Sequence, residues 1–137
     1  GIVGTPRLRK EDPALLTGES KFIDDLHIPG ALWIALVRSP HAHARIGAID
    51  ASAALATDGV VAVYTGADLE GDWAGPLPCA WPVTDDMKNP PHLPLAVGKA
   101  NFAGDAVAVV VATTRYAAAD GLEGVLGLLD ALPSPVG

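Results

Sequence analysis

Three runs of apolar residues stand out along the chain and predict β-strands. Residues 31–37 read ALWIALV, residues 60–64 read VVAVY and residues 106–112 read AVAVVVA. Each run is shorter than an ordinary helix and carries β-branched or bulky side chains, which favours extended structure. The third run is apolar at every position, so we expect it to lie at the centre of a sheet with both faces covered.

One turn or more of capped helix is predicted near the start of the chain. Asp12 is followed by a proline at the first helical position, and Gly18 ends the segment. Aspartate is a favoured N-cap and glycine is favoured just past a helix end, so residues 11–18 should form one helical turn that Asp12 caps and Gly18 ends. We expect Leu15 and Leu16 to be the buried side chains of this helix.

Two further helices are predicted after capping residues. Asp50 and Ser52 can cap the alanine-rich residues 51–57, and one of the threonines at 113 and 114 can cap residues 115–123. The chain then returns as a strand over residues 125–132 and ends at prolines. This last unit holds three glycines without a local explanation, although glycine weakens a regular element by roughly 1 kcal/mol relative to alanine.

A polar segment, residues 37–50, joins the elements on either side of it. Pro40 cannot donate a ladder hydrogen bond, so it should mark a strand end, an edge or a bulge. The sequence then alternates, which predicts that His41, His43 and Arg45 share one face of an extended segment. The pattern predicts a strand that leaves the core, bends and returns towards a helix.

Both halves of the sequence contain a strand–helix–strand pattern, which predicts one α+β domain over residues 1–137, with helices packed on a mixed sheet. The parts, in order, are an N-terminal arm and turn, a first half, a proline-rich loop and a second half: residues 1–30, 31–70, 71–98 and 99–137. The loop holds six of the twelve prolines together with Trp73 and Trp81. A loop of this length is functional, packed on another surface or disordered, and the tryptophans argue against simple disorder.

Charge and cysteine content restrict the classes of function. Sixteen acidic residues against nine basic ones give a formal net charge of −7 without any basic cluster, which argues against a nucleic-acid partner. The single Cys79 excludes an internal disulfide, fits a reducing cytoplasm and is better explained as a packed residue than as a catalytic thiol. No apolar run reaches the roughly 20 residues of a membrane helix, so we expect a cytoplasmic protein with no membrane span.

Two histidines separated by one residue, His41 and His43, form the clearest candidate for metal binding. A site would need a third ligand, which His27, His92 or Asp50 could supply, although nothing in the sequence places them. A polar or interface face is the simpler interpretation of two histidines at this spacing.

The remaining candidate chemistry is weaker. Adjacent aspartates at 24–25 and 85–86 could bind a hard cation, but they lack the spacing of a calcium loop and are better explained as solvated turns. The glycine-rich nucleotide motifs and the nucleophile-elbow motif are absent from the sequence. The residues alone therefore indicate an acidic α+β domain with no visible active site.

Four segments, taken in order, carry a resemblance to a known family: residues 9–18 (RKEDPALLTG), 37–46 (VRSPHAHARI), 63–69 (VYTGADL) and 102–110 (FAGDAVAVV). As a set they resemble the large, molybdopterin-binding subunit of molybdenum hydroxylases, the family of carbon monoxide dehydrogenase, aldehyde oxidase and xanthine dehydrogenase. The resemblance implies that the chain is the N-terminal α/β-hammerhead domain of that subunit. The departure from the family pattern is largest over residues 125–133.

The same resemblance implies the chemistry of the complete enzyme. In the family, a substrate carbon is hydroxylated or carbon monoxide is oxidised, and electrons pass from a molybdenum centre through iron–sulfur clusters to FAD. The implied molybdenum cofactor is of the molybdopterin cytosine dinucleotide type. Its binding segments and the catalytic glutamate have no matching position here, so this chain alone is expected to bind no cofactor and to be inactive.

The role implied for these residues is structural. They would support the pterin-binding remainder of the subunit and help to dock the iron–sulfur and flavin subunits. The interface candidates are His41, His43, Arg45, Trp73 and Trp81. The alternative is a free-standing module of the same fold that binds or assembles partners without enzyme activity.

Overall fold

A computed structural model describes residues 3–78 and 84–134 of the chain. The chain divides into two compact units, residues 1–31 and 32–137. Two residues singled out from the sequence, Cys79 and Trp81, lie outside the described residues. Within the described ranges, every helix is too short or too polar to cross a membrane.

The first unit contains a short helix, α1 (Asp12–Thr17), followed by a 3-10 turn (Ile23–Asp25). The predicted end of α1 is confirmed, because Gly18 adopts the left-handed conformation with φ of 75°. Glycine enters this region without the steric cost that a Cβ atom would bring.

Two expectations about α1 are wrong. The helix begins at Asp12 itself, and Glu11 before it makes no capping hydrogen bond through its side chain. Leu15 and Leu16 are exposed, not buried. The physical reason is that none of the described residues of this unit is buried, so the unit offers no core against which the helix could pack.

The second unit contains two three-stranded antiparallel sheets and two short helices. In order, the elements are β1 (Trp33–Arg38), β2 (Ala44–Asp50), α2 (Ser52–Leu55), β3 (Val60–Thr65), β4 (Lys99–Ala100), β5 (Ala106–Ala112), α3 (Arg115–Glu123) and β6 (Leu126–Ala131). One sheet has the strand order β1–β5–β3 and the other has the order β4–β2–β6. The prediction that β5 is central is confirmed.

The α+β class is confirmed, but the strands form two antiparallel sheets instead of the one mixed sheet that the pattern suggested. Both strand–helix–strand units cross between the sheets. The chain passes from β2 through α2 to β3, and from β5 through α3 to β6. Because neither unit returns to the sheet in which it started, parallel neighbours do not form.

The predicted threonine cap of α3 is confirmed. The expected cap of α2 is wrong, because the N-cap is Ala51 without a side-chain capping hydrogen bond, Asp50 lies one residue earlier and Ser52 is already helical. The Thr114 hydroxyl accepts a hydrogen bond from the Ala117 N–H at 3.1 Å and so begins α3. The Asp50 carboxylate accepts the Ser52 N–H at 2.9 Å at the start of α2, and these contacts with Ser52 lower the pKa of Asp50. Each bond satisfies a backbone donor that the first turn of a helix cannot pair internally.

The core lies between the β1–β5–β3 sheet and the helices, and it is built from small side chains. Its buried members are Ala54, Ala108, Val110 and Val125, with a second cluster at Ala112, Ala117 and Ala118. Small side chains allow α3 to approach the sheet closely. A Cβ atom at Gly121 would lie 2.8 Å from a Val60 methyl carbon and 2.9 Å from one of Val110.

Gly124, directly after α3, allows a close approach between the end of α3 and the backbone of α2. A Cβ atom there would lie 2.5 Å from the Ala54 nitrogen and 2.8 Å from the Ala54 Cα atom. Both are backbone atoms and cannot rotate away. The tertiary contacts thus explain Gly121 and Gly124, which had no local explanation in the sequence.

We predict that Gly124→Ala lowers the free energy of unfolding by about 3 kcal/mol, because an added methyl group must push the α2 backbone away. The matched control is Gly127→Ala, where the added atom would meet only an Ile49 carbon at 3.9 Å. The free energy of unfolding of that variant should equal that of the original protein or exceed it by up to about 1 kcal/mol. Urea unfolding measures both, and equal effects of the two substitutions would contradict the role assigned to Gly124.

A hydrogen-bonded turn ends β3. The Thr65 N–H and the Thr65 hydroxyl both donate to the Asp68 carboxylate at 2.7 Å. These bonds, the backbone one foremost, hold the pKa of Asp68 below its ordinary value. At Gly66, within this turn, an added Cβ atom would overlap the carbonyl oxygen of Ala96, so the turn lies directly against the end of the proline-rich loop.

The lowered pKa of Asp68 predicts a pH-dependent contribution to stability. A carboxyl whose pKa is lower in the folded state stabilises the protein above its ordinary value of 3.8, and this stabilisation is lost as the pH falls through the folded value. We expect Asp68→Asn to lower the free energy of unfolding at pH 6 and to have a smaller effect at pH 3. Urea unfolding at both pH values tests this, and a pH-independent difference would contradict it.

Candidate interface site

Two of the segments singled out in the sequence meet where β1 ends and β5 begins. The Ser39 N–H donates to the Asp105 carbonyl oxygen, and the Gly104 N–H donates to the Ser39 carbonyl oxygen, both at 2.8 Å. The Arg38 guanidinium also donates to the Gly104 carbonyl oxygen at 2.8 Å. We call this region, residues 38–45 with residues 101–105, the polar junction.

A serine bends the chain at the centre of the polar junction. Ser39 is buried, and its hydroxyl donates to the His41 carbonyl oxygen at 2.9 Å while accepting the His41 N–H at 3.1 Å. Such local side-chain bonds offer the backbone an alternative to a strand ladder. Pro40 lies inside this bend, just beyond the end of β1, as the sequence predicted.

The bend changes the arrangement expected for the two histidines. Residues 41–43 form bends, and β2 begins only at Ala44. The prediction that His41 and His43 share a strand face with Arg45 is therefore wrong, because both histidines precede the strand. The reason is the pair of Ser39 hydrogen bonds, which removes His41 from a ladder.

His43 anchors the end of β6 to the start of β2. Its Nδ1 atom lies 2.8 Å from the Pro133 carbonyl oxygen, so Nδ1 carries the proton, since a carbonyl can only accept. The Leu132 N–H donates to the His43 carbonyl oxygen at 2.8 Å. With these two bonds, His43 holds the last described residues of the chain against the polar junction.

Arg45 remains accessible on the second sheet. It is exposed, and it is in register with Lys99 on one neighbouring strand and with Asp130 on the other. Cross-strand neighbours of this kind interact through charge, although exposed pairs contribute little to stability. The Arg45 side chain is thus open to solvent on this sheet.

Asp105 is the buried charged residue of the polar junction, with only 2% of its surface exposed. One carboxylate oxygen accepts the Asn101 N–H at 2.9 Å. The other lies 3.8 Å from the His92 Nε2 atom, and the His92 ring packs edge-on against Phe102. The carboxylate therefore closes the turn before β5 and meets the returning end of the proline-rich loop.

Sequence reasoning did not single out Asp105 as important and considered His92 only as a distant metal ligand. The available signal was an acidic residue placed directly before the most apolar strand. Charged residues at such positions are rarely buried without a partner. The preceding Gly104 adopts φ of 94°, which is the conformation that lets the turn bring the Asn101 N–H to the carboxylate.

We predict that Asp105→Ala lowers the free energy of unfolding by about 3 kcal/mol, because it leaves a cavity and removes the acceptor for the Asn101 N–H. Asn101→Ala is the control, since the bond uses the backbone donor and the exposed side chain can be removed for less than about 0.5 kcal/mol. Urea unfolding at neutral pH compares the two. A small effect of Asp105→Ala would refute the structural role of this carboxylate.

Trp73 is half-buried in the proline-rich loop, and its indole nitrogen is buried without a hydrogen-bond partner among the residues that the structure describes. A buried donor left unpaired costs about 1–3 kcal/mol. Trp73 lines neither depression beside the polar junction. The structure thus brings His41, His43 and Arg45 into one region and leaves Trp73 apart from it.

Two depressions of about 330 and 440 Å³ lie beside the polar junction, and a third of about 480 Å³ lies beside the turn that ends β3. Their charged lining residues are Asp68, Glu70, Lys99 and Asp105. A pterin dinucleotide needs cationic groups or clustered N–H donors for its phosphates, and a charged lining of three carboxylates and one lysine does not favour that cofactor. Among the described residues, no three His, Cys, Asp or Glu side chains are grouped to hold a metal ion.

Comparison with known proteins identifies the family. Residues 17–126 match the model of the aldehyde oxidase and xanthine dehydrogenase a/b hammerhead domain. The carbon monoxide dehydrogenase large chain of Afipia carboxidovorans is 42% identical over 134 residues, which are 98% of this chain and 16% of that protein. The chain therefore spans about one-sixth of the length of this relative.

Solved structures agree with this match. Quinoline 2-oxidoreductase from Pseudomonas putida 86 superposes with a TM-score of 0.84 and 39% identity, covering 95% of this chain and 16% of that one. A Cu,Mo-containing CO dehydrogenase superposes with a TM-score of 0.83 and 40% identity, covering 98% of this chain and 16% of that one. The chain belongs to the aldehyde oxidase and xanthine dehydrogenase hammerhead family, and the predicted hammerhead fold is confirmed.

Proposed function

We propose that this hammerhead domain is part of the large subunit of a molybdenum-containing hydroxylase, in which it supports assembly and does not catalyse. The observation that carries the proposal is the use of the polar groups at the junction. Ser39, His43 and Asp105 all bond to the backbone of the same chain. Groups engaged in this way hold loops together and are not poised to act on a substrate.

Exposed apolar side chains support a role in assembly. Large apolar residues left exposed in the second unit include Trp33, Ile34, Leu55, Val61, Tyr64, Phe102, Leu126 and Leu128. Extended apolar surface on a folded protein marks sites where another surface packs. The first unit also exposes apolar side chains, since none of its described residues is buried.

In this proposal, the remainder of the large subunit binds the molybdenum cofactor, and iron–sulfur clusters and FAD lie on partner subunits or domains, in the cytoplasm. The interface candidates that stay available for docking are the half-buried His41 and the exposed Arg45. Trp73 and Trp81 remain candidates from the sequence alone. His43 is assigned a structural role in holding the end of β6.

The domain is not expected to select the substrate. The names of the two solved relatives give different substrates, quinoline and carbon monoxide, although this domain superposes on both almost equally well. If the domain determined the substrate, its structure should differ more between them. We infer that substrate choice belongs to other parts of the large subunit.

The native mass of the polypeptide tests the proposed function. We expect an antibody against this domain to detect, in extracts of the source cells, a chain several times larger than 14.0 kDa that co-purifies with molybdenum. The same extract after removal of that chain is the control for the metal measurement. A native chain of about the mass of this domain, without molybdenum, would overturn the proposal in favour of a free-standing binding module.

A further inference from the structure

The β1–β5–β3 sheet has two faces with different surroundings. On one face, Ala108, Val110 and Ala112 of β5 contact the core and α3. Residues opposite one another on neighbouring strands share a face, and Ala35 and Val63 are both in register with Val110. This face is covered by elements of the chain itself.

The alternate residues of the same strands form the second face. Ile34 and Ala62 are in register with Val111, and Leu36 and Tyr64 are in register with Val109. We call these residues the open face; they are Ile34, Leu36, Ala62, Tyr64, Val109 and Val111. None of the six carries a charge and none is buried, and Ile34 is 65% exposed and Tyr64 42% exposed.

The composition of the open face does not fit a surface in contact with water. Antiparallel sheets with one solvated face alternate apolar and polar residues, whereas β5 carries valine or alanine at every position. Burial of a valine or isoleucine side chain removes apolar surface from water and stabilises a protein. A face of six apolar residues left in water forgoes that stabilisation, which indicates that another surface covers it.

We propose that the open face docks another segment of the same large-subunit polypeptide, outside these 137 residues, which presents an uncharged apolar surface. The inference rests on the proposed function and adds the surface through which the domain is held. Two observations favour this occupant. The face lacks charge, which is typical of permanent interfaces that resemble a divided core, and the chain spans only 16% of its relative's length.

The two tyrosines of the chain provide a test in the unmodified full-length enzyme. Tyr116 is 83% exposed on α3, and Tyr64 is 42% exposed on the open face, so without a cover they should differ about twofold in their reaction with a tyrosine-modifying reagent. With the face covered we expect Tyr64 to react at least roughly tenfold more slowly than Tyr116, as for the dry core of an interface. Peptide mass spectrometry measures both rates, and a ratio near two would overturn the proposal.

A second experiment identifies the occupant. A photo-crosslinking amino acid replaces Ile34 in the complete enzyme, and the control carries it in place of Tyr116. We expect crosslinks from position 34 to large-subunit peptides outside this domain. Crosslinks to another subunit or to a second copy, or none at all, would overturn the proposal. Molybdenum content is measured on the same sample, so a chain without molybdenum would refute the proposed function while position 34 still reports on the open face.

Discussion

The contact between Gly124 and the backbone of Ala54 is the constraint on which the arrangement of the second unit depends. The two strand–helix–strand units cross between the sheets, one in each direction, and their helices meet where the chain leaves α3. A side chain at this point would push α2 away from the end of α3. The alanine-rich core follows from the same constraint, because small residues let helices and strands approach closely.

The polar junction is a second set of contacts that joins separate segments, at the end of the sheet where β1 ends and β5 begins. Ser39, Asp105 and His43 join β1, β5, the proline-rich loop and the end of β6 through bonds that cross long stretches of sequence. Buried polar groups specify one arrangement when all of them are satisfied. His43, a candidate metal ligand in the sequence, therefore acts with Ser39 and Asp105 to connect elements of the fold.

The covered and open faces of one sheet show how a domain of this kind can depend on its context. The chain completes its own packing on the side of α3, whereas the opposite side carries apolar residues that it does not cover. Under the proposed function, the hammerhead domain contributes this uncovered surface to a larger subunit. Its relatives share this architecture while their names give different substrates, which agrees with a structural contribution that is independent of the reaction.

The sequence by itself determined the local elements: β5 as a central strand, the Thr114 cap of α3, the end of α1 at Gly18 and the four ordered segments that indicate the family. These depend on residues close together in the chain, through periodicity, capping and turn chemistry. Only the tertiary structure decided the division into two antiparallel sheets, the burial of Asp105 and the reason for Gly124. Each of these depends on atoms from distant segments, such as the Ala54 backbone beside Gly124, and a local pattern contains no information about which distant backbone will approach. The bend that takes His41 and His43 out of β2 is made by local Ser39 bonds, but the alternating pattern did not reveal it.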